Sequence, residues 1–366
     1  MARTPIPCPE CDREKYFEGL CYACEKRHER LRYEAMSDAD VAKAVQHIAR
    51  NIHEVDEMAQ AYRDFKALLA YHDINTAAIA QAACAAKVFF PPELYRDADD
   101  SVQQQLIALL QDPQCHSGRA NAVLSCLGVC GSPRAQAALQ ALQQNPKPWR
   151  QKLHVDPDVY AECGGWTWDA SGQRQALVYP DCYALSPGPR EDIAVQVATP
   201  KDGHCPHCGC GLVHILEIDG RDARLAFLNM PGPIKLPLCP NCASMSEKTL
   251  MRYAPDAPGS FEVVGPFSDE NYINADDYKK MTERQLVLSA EKKPVYYACG
   301  PEETSTIGGM ADWIQDWQYE NCPDCQRKMK QLGALVWDTV LPGSEGTLYI
   351  QHCPDCQVAA AFHQQT

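Results

Sequence analysis

A chain of 366 residues, 45% of them hydrophobic and 22% charged, is long enough to build two or three cores. Its formal charge of −14 repels phosphate backbones and attracts basic partners, which argues against nucleic acid. The opening run before Cys8 has no apolar core of a signal peptide, and the most apolar stretch, 77–90, is too short and alanine-rich to span a bilayer. The outlier is the count of 20 cysteines. Twelve of them form six Cys-x-x-Cys pairs, so a reduced, cytoplasmic chain with metal-bound thiolates is expected in preference to a disulfide framework.

In chain order, residues 1–34 hold Cys8/Cys11 and Cys21/Cys24, nine residues apart, enough for one hairpin and a following helix. Seven basic and seven acidic residues balance here. The segment therefore reads as an N-terminal zinc knuckle, a metal staple for a terminus too small to bury a core, with nucleic-acid or protein docking as the alternative.

Residues 35–146 are expected to be helical. Ser37-Asp38-Ala39-Asp40 is a helix start of the capping-box kind, and Val41, Val45, Ile48, Ile52, Val55, Met58, Tyr62, Phe65 and Leu69 recur at helical spacing. Alanine-rich helical segments follow at 75–89 and 101–111. Asp112-Pro113 and Gly131-Ser132-Pro133 punctuate two further helices in a manner similar to HEAT repeats, a plain helical bundle being the other reading. Cys126 and Cys130, at i and i+4, read as small buried apolar residues. Asn145-Pro146-Lys147-Pro148 then closes the helical region.

Beyond it the texture turns to short alternating runs, as expected of strands. Residues 150–250 carry Gly164-Gly165-Trp166, then Cys205/Cys208 and Cys239/Cys242 with two apolar runs between them. Residues 301–366 repeat that order: Gly308-Gly309 with Trp313, then Cys322/Cys325 and Cys353/Cys356 around Gly346 to Ile350. This predicts a duplicated β-rich zinc-ribbon unit. The intervening 251–300 is rich in Asp256, Glu262, Asp269, Glu270, Asp276, Asp277 and Glu283, interleaved with Phe261, Phe267, Tyr272 and Tyr278. It reads as a solvated segment between repeats, or as an acidic–aromatic docking surface.

A Cys-x-x-Cys turn offers two thiolates from one loop, and two such turns complete a tetrahedral site. The expected ligands are Cys8, Cys11, Cys21, Cys24, Cys205, Cys208, Cys239, Cys242, Cys322, Cys325, Cys353 and Cys356. They make about three structural Zn²⁺ sites, with iron as the alternative ion. Each site would add about −2, taking the charge to roughly −20. His204, His207 and His352 flank the pairs and read as turn residues. The chain has no HExxH, P-loop, GxGxxG or GxSxG motif, and Cys163 and Cys182 have no identifiable partner base, so no catalytic residue is assigned. Six pairs at ribbon spacing also fit a thioredoxin-like redox centre poorly.

Gly308, Gly309, Trp313, Cys322, Cys325, Met329, Gly346, Tyr349, Cys353 and Cys356 together resemble the motif of the YwqG-like family of bacterial proteins. The resemblance covers about 150–366 and departs at Met310-Ala311, where a proline is usual, and at Lys330-Gln331-Leu332. It implies a duplicated β-rich unit in a binding module. Some members are immunity proteins, inhibitors of secreted toxins used in bacterial competition, and the family has no established catalytic residues. The expected molecule is thus α+β: a zinc knuckle, an all-α HEAT-like domain and a duplicated zinc-ribbon domain. The expected function is non-enzymatic protein–protein interaction with a cognate toxin of basic surface. A nucleic-acid- or ribosome-associated zinc protein and a thiol redox protein are the alternatives.

Overall fold

The computed structural model describes residues 4–11, 13–55, 59–189, 193–230, 232–266 and 269–366. Met58 and Phe267 lie outside the described residues. The fold mixes helix and sheet. A short hairpin, β1 (Ile6–Pro7) and β2 (Glu14–Lys15), leads into α1 (Tyr22–Glu34). Six helices follow: α2 (Asp38–Arg50), α3 (Gln60–His72), α4 (Ala77–Ala86), α5 (Asp100–Gln111), α6 (Ser117–Cys130) and α7 (Pro133–Gln144).

Local chemistry sets these boundaries. Ser37 accepts from the amide of Asp40 at the start of α2. The apolar run from Val41 to Leu69 is cut in two, because Asn51 leaves helical backbone and its side chain caps the carbonyl of His47 at 3.0 Å. Between α6 and α7, Gly131 takes the left-handed C-cap, Ser132 accepts from the amide of Ala135 at 3.1 Å, and Pro133 is the first helical residue. The thiols of Cys126 and Cys130 donate to the carbonyls of Phe89 and Tyr95, so both serve as interior packing groups.

The remainder is β-rich. Its elements are β3 (Trp166–Trp168), β4 (Arg174–Ala176), β5 (Cys182–Pro187), β6 (Val195–His204), β7 (Gly211–Asp219), β8 (Pro233–Leu238), α8 (Pro240–Met245), β9 (Lys248–Arg252), β10 (Ser260–Val264), α9 (Ala275–Glu283), β11 (Leu286–Leu288), β12 (Ser305–Gly308), β13 (Lys330–Val336), α10 (Trp337–Val340), β14 (Thr347–Cys353) and β15 (Val358–Gln364). Strands β6, β7 and β8 form a three-stranded antiparallel sheet. A second antiparallel sheet of eight strands runs β10-β9-β15-β14-β13-β12-β5-β11. The apolar faces of the two enclose one core, which includes Val213, Ile215, Leu216, Leu236, Ile307, Leu332, Leu348 and Ile350.

The two predicted repeats share the order strand, Cys pair, strand, strand, Cys pair, and then diverge. In the first, β9 leaves its own sheet and pairs with β15, Arg252 opposite Val358. The acidic 251–300 stretch keeps nearly all of its named carboxylates exposed, but it is more than a connector: it contributes β10 to one edge of the large sheet and β11 to the other. The two Gly-Gly turns are not equivalent either. Gly308 ends β12 opposite Cys182, whereas Gly164-Gly165 packs on helix α6.

That second contact is a seam between the helical layer and the sheets. A Cβ on Gly128 in α6 would fall 1.9 Å from the carbonyl oxygen of Tyr160, and one on Gly164 would fall 2.1 Å from that of Gly128. Trp166, fully buried, donates its indole N–H to the Gly128 carbonyl at 2.7 Å. Only backbone without side chains can approach this closely. The core of the helical layer accordingly continues through Trp166 to Cys182, Tyr296, Tyr297, Cys299 and Met310.

Residues 309–321 have no regular structure, yet they are held on the large sheet by side chains of β14 and β15. Tyr349 accepts from the amide of Ile314 and donates to the carbonyl of Asp312. Gln351 joins Glu320 and Gln318, and Gln364 joins Gln315 and Asp316. Trp313 stacks on Tyr349 with ring centroids 4.5 Å apart. Lys66 of α3 reaches across to Asp312 at 3.3 Å, so this loop faces the helices.

Gly128→Ala should destabilise the chain by roughly 3 kcal/mol or more, since backbone on both sides must move to admit one methyl. Urea unfolding against the exposed control Gly118→Ala, near the start of the same helix, where an added Cβ meets only the His116 ring at 3.4 Å, checks this.

Candidate metal centres

The twelve paired cysteines meet in three groups of four: Cys8, Cys11, Cys21 and Cys24; Cys205, Cys208, Cys239 and Cys242; and Cys322, Cys325, Cys353 and Cys356. Within each group all sulfurs lie within 4.8 Å of one another. The near contacts are Cys8–Cys24 at 3.8 Å, Cys11–Cys21 at 3.5 Å, Cys205–Cys242 at 3.6 Å, Cys208–Cys239 at 3.5 Å and Cys325–Cys353 at 3.7 Å. A disulfide needs about 2.05 Å. A tetrahedral ion with metal–sulfur bonds of about 2.3 Å has sulfur–sulfur edges of about 3.8 Å. The residues therefore fit a tetrahedral, thiophilic ion such as zinc, and a closed S₄ set leaves no position for substrate.

Two backbone devices present the sulfurs. In the first, the chain folds back so that the amide of the leading cysteine donates to the carbonyl five residues on: Cys8 to Arg13, Cys205 to Cys210, Cys322 to Arg327. The residue following the second cysteine then turns left-handed: Gly209 (φ +72), Gln326 (φ +61) and, after Cys356, Gln357 (φ +56). In the second device the pair opens a helix. Cys21 is the N-cap of α1, and Cys239 is the N-cap of α8, its sulfur accepting from the amide of Cys242. A helix start supplies amides and a positive dipole end to a thiolate. The first and second groups thus join a hairpin turn to a helix start. The third joins two hairpin turns.

The charges around the groups differ. Arg27 lies 3.6 Å from the sulfur of Cys24. The thiol of Cys325 is pulled down to about 6, first by the backbone amide of Arg327 and then by its guanidinium, which also pairs with Asp355. The second group is wholly buried, whereas Cys11 is exposed and Cys325 and Cys356 are half-buried.

Two neighbours depart from the sequence reading. His352 is no turn residue: it is fully buried on β14, with Nε2 at 2.7 Å from the hydroxyl of Tyr179 and Nδ1 at 3.3 Å from that of Tyr253. Burial, with Lys330 nearby, holds its imidazole down at about 3. His204 and His207 are exposed and belong to no group. Cys210, by contrast, lies buried against Cys239 and places a fifth sulfur beside the second group. The spacing Cys208-Gly209-Cys210 is the sign of it in the sequence.

No family model and no solved structure matches the chain. It is similar to the uncharacterised protein YpfL of Salmonella typhimurium, 27% identical over 264 residues, which are 71% of this chain and 62% of that protein. The chain therefore spans less than two thirds of that curated relative's length. No helix among the described residues is long and apolar enough to cross a membrane.

Three outcomes follow from this geometry. Gly209→Ala should cost roughly 1 kcal/mol from its left-handed backbone alone, read as lower thermal stability of the metal-loaded protein, since an added Cβ there meets nothing. Chelator challenge, followed with a metal indicator, should empty the first and third groups before the buried second one. Cys322→Ser should lose one metal equivalent and unfold the C-terminal unit, because a structural site supplies folding free energy.

Proposed function

We propose that the chain is a non-enzymatic, zinc-stabilised binding protein of the cytoplasm, and that it acts as an immunity protein. It would bind a cognate secreted toxin of basic surface and occlude its active site. The observation that carries this reading is a charge of −14 on a scaffold whose paired cysteines form closed four-sulfur sets. Such sets staple a fold and leave the acidic surface as the functional feature. The HEAT-like reading of the helical layer belongs to this proposal, since stacked helices offer a broad binding wall. The toxin itself comes from the resemblance of the C-terminal cysteine, glycine and tryptophan pattern to the YwqG-like family.

One observation favours a second reading. Tyr16, Phe17 and Tyr22 stand 59%, 51% and 64% exposed on the N-terminal knuckle, and exposed aromatic rings among basic residues suit stacking on unpaired bases. The basic side chains there are already engaged, however: Arg27 with Glu10, Lys26 with Glu29, Arg30 with Glu34 and Glu302, and Arg13 with Asp338. Little positive charge remains for phosphate.

The test is affinity capture of the tagged chain from its own host, followed by expression of the captured partner alone and together with this chain. A partner that is toxic alone and harmless in combination supports the proposal, and its association rate should fall roughly tenfold or more on raising salt. Ribosomal proteins or RNA in the captured fraction would replace it with the second reading.

A further inference from the structure

One cavity in the helical layer belongs to none of the cysteine groups. Its volume is about 420 Å³, within the range of small-molecule sites, and it lies between α2 and α3. Lys43, Ala44, Gln46, His47 and Arg50 of α2 line it, together with Asp64 of α3. Residues 43, 47 and 50 stand at i, i+4 and i+7, so three basic side chains form one row on α2. The opposite face of that helix is spent on the core through Val41, Val45 and the buried Ile48. Beside the row the side chain is only a methyl, that of Ala44, which leaves the space open.

The donors in this cavity are largely unspent. Arg50 is exposed, and its guanidinium has no hydrogen bond or ion pair among the described residues; nor has the side chain of Gln46. The side-chain amide of Asn51 donates to the carbonyl of His47 at 3.0 Å and to Nδ1 of the same ring at 3.3 Å. The neutral ring therefore carries its hydrogen on Nε2, which remains a donor. Lys43 reaches only Asp40, at 3.1 Å, in a pair whose side chains are 77% and 56% exposed, so that pair contributes little. Asp64 accepts from the Tyr33 hydroxyl and from the Gln60 amide at 2.6 Å, both on Oδ1, and Oδ2 is left as an acceptor. Arg50 and Asp64 thus line one cavity without pairing.

The charge here is opposite in sign to that of the whole chain. Arg32 lies over the Tyr33 ring at 4.9 Å, behind Asp64. Lys43, Arg50 and Arg32 set against Asp64 and Asp40 leave one net positive charge, on a chain of −14. Four donor groups and one spare acceptor complement a phosphate carried by a hydroxylated molecule. The phosphate oxygens take the N–H donors, arginine reading two of them as a fork, and a neighbouring hydroxyl meets Oδ2. A carboxylate has only two oxygens for the same four donors. A long polyanion would run from this spot onto a repelling surface.

We propose that this cavity binds the phosphate group of a small molecule, with Arg50 as the fork, Lys43, Gln46 and His47 as further donors, and Asp64 as acceptor for an adjoining hydroxyl. The phosphate is either free or the end of a small ester. The site stands apart from any basic protein partner.

The test is calorimetric titration of the metal-loaded full chain, at fixed ionic strength, with inorganic phosphate, methyl phosphate and glycerol 3-phosphate. The expected result is saturable binding of all three, tightest for glycerol 3-phosphate. Equal binding of the three instead assigns the site to the phosphate group alone. Arg50→Gln should weaken binding about tenfold or more. Asp64→Asn keeps the Oδ1 acceptor for Tyr33 and Gln60. It should tighten inorganic phosphate by removing a like charge, and abolish the advantage of glycerol 3-phosphate over methyl phosphate. A structural role alone would not give these opposite signs. Lys152→Gln, at an exposed lysine outside the cavity, makes the same change in net charge and should leave binding unaltered. No saturation below about 10 mM, an Arg50→Gln variant that binds as before, or an equal loss in Lys152→Gln would overturn the proposal.

Discussion

Four cysteine sulfurs drawn within 4.8 Å of one another, in each of three groups, constrain this chain more than any other contact. Without a cation, four negative sulfurs at about 3.5–3.8 Å repel each other strongly in a partly desolvated site. With a divalent ion they become the strongest local tie available. The consequence depends on the chain between the pairs. Nine residues between Cys11 and Cys21 allow only a hairpin return and a helix start. The longer spans at 209–238 and 326–352 allow two full strands, which then supply the apolar faces of the two sheets.

The same Cys-Pro-x-Cys pattern is resolved in two ways. After Cys356, Gln357 turns left-handed and the chain returns as β15. After Cys242, Ala243 continues helically as α8. That single difference sends the two halves apart. The C-terminal half closes its own antiparallel run, while the first half exports β9 to the neighbouring sheet. The duplication in sequence therefore becomes an interlocked pair of sheets, and the acidic stretch between the halves completes the edges of the larger one.

The helical layer is joined to this assembly through glycine rather than through a hydrophobic face alone. Gly128 and Gly164 allow backbone-to-backbone approach, and Trp166 locks it with an indole hydrogen bond. Further along the same boundary, the 309–321 loop stands off the sheet on buried Tyr349, Gln351 and Gln364. Buried polar side chains that are fully hydrogen-bonded can fix a loop as firmly as regular structure.

By itself the sequence determined the cysteine pairs that meet in groups of four, the helix punctuation at Ser37 and Gly131-Ser132-Pro133, and the change of texture at Asn145. All of these are local: they follow from turn chemistry, capping and periodicity within a few residues. It misread what depends on distant partners. His352 looked like a turn residue because it precedes Cys353, and only the approach of Tyr179 and Tyr253 makes it a buried strand residue. The acidic 251–300 stretch read as a connector because its composition is polar, and its carboxylates are indeed mostly exposed, yet β10 and β11 pair by backbone with β9 and β5. Two Gly-Gly turns looked equivalent, although one meets a helix and the other a strand. Cys210 showed in the sequence only as a third cysteine after the Cys205/Cys208 pair, and its place beside Cys239 is set by the tertiary fold, which is a matter of long-range packing no local pattern encodes.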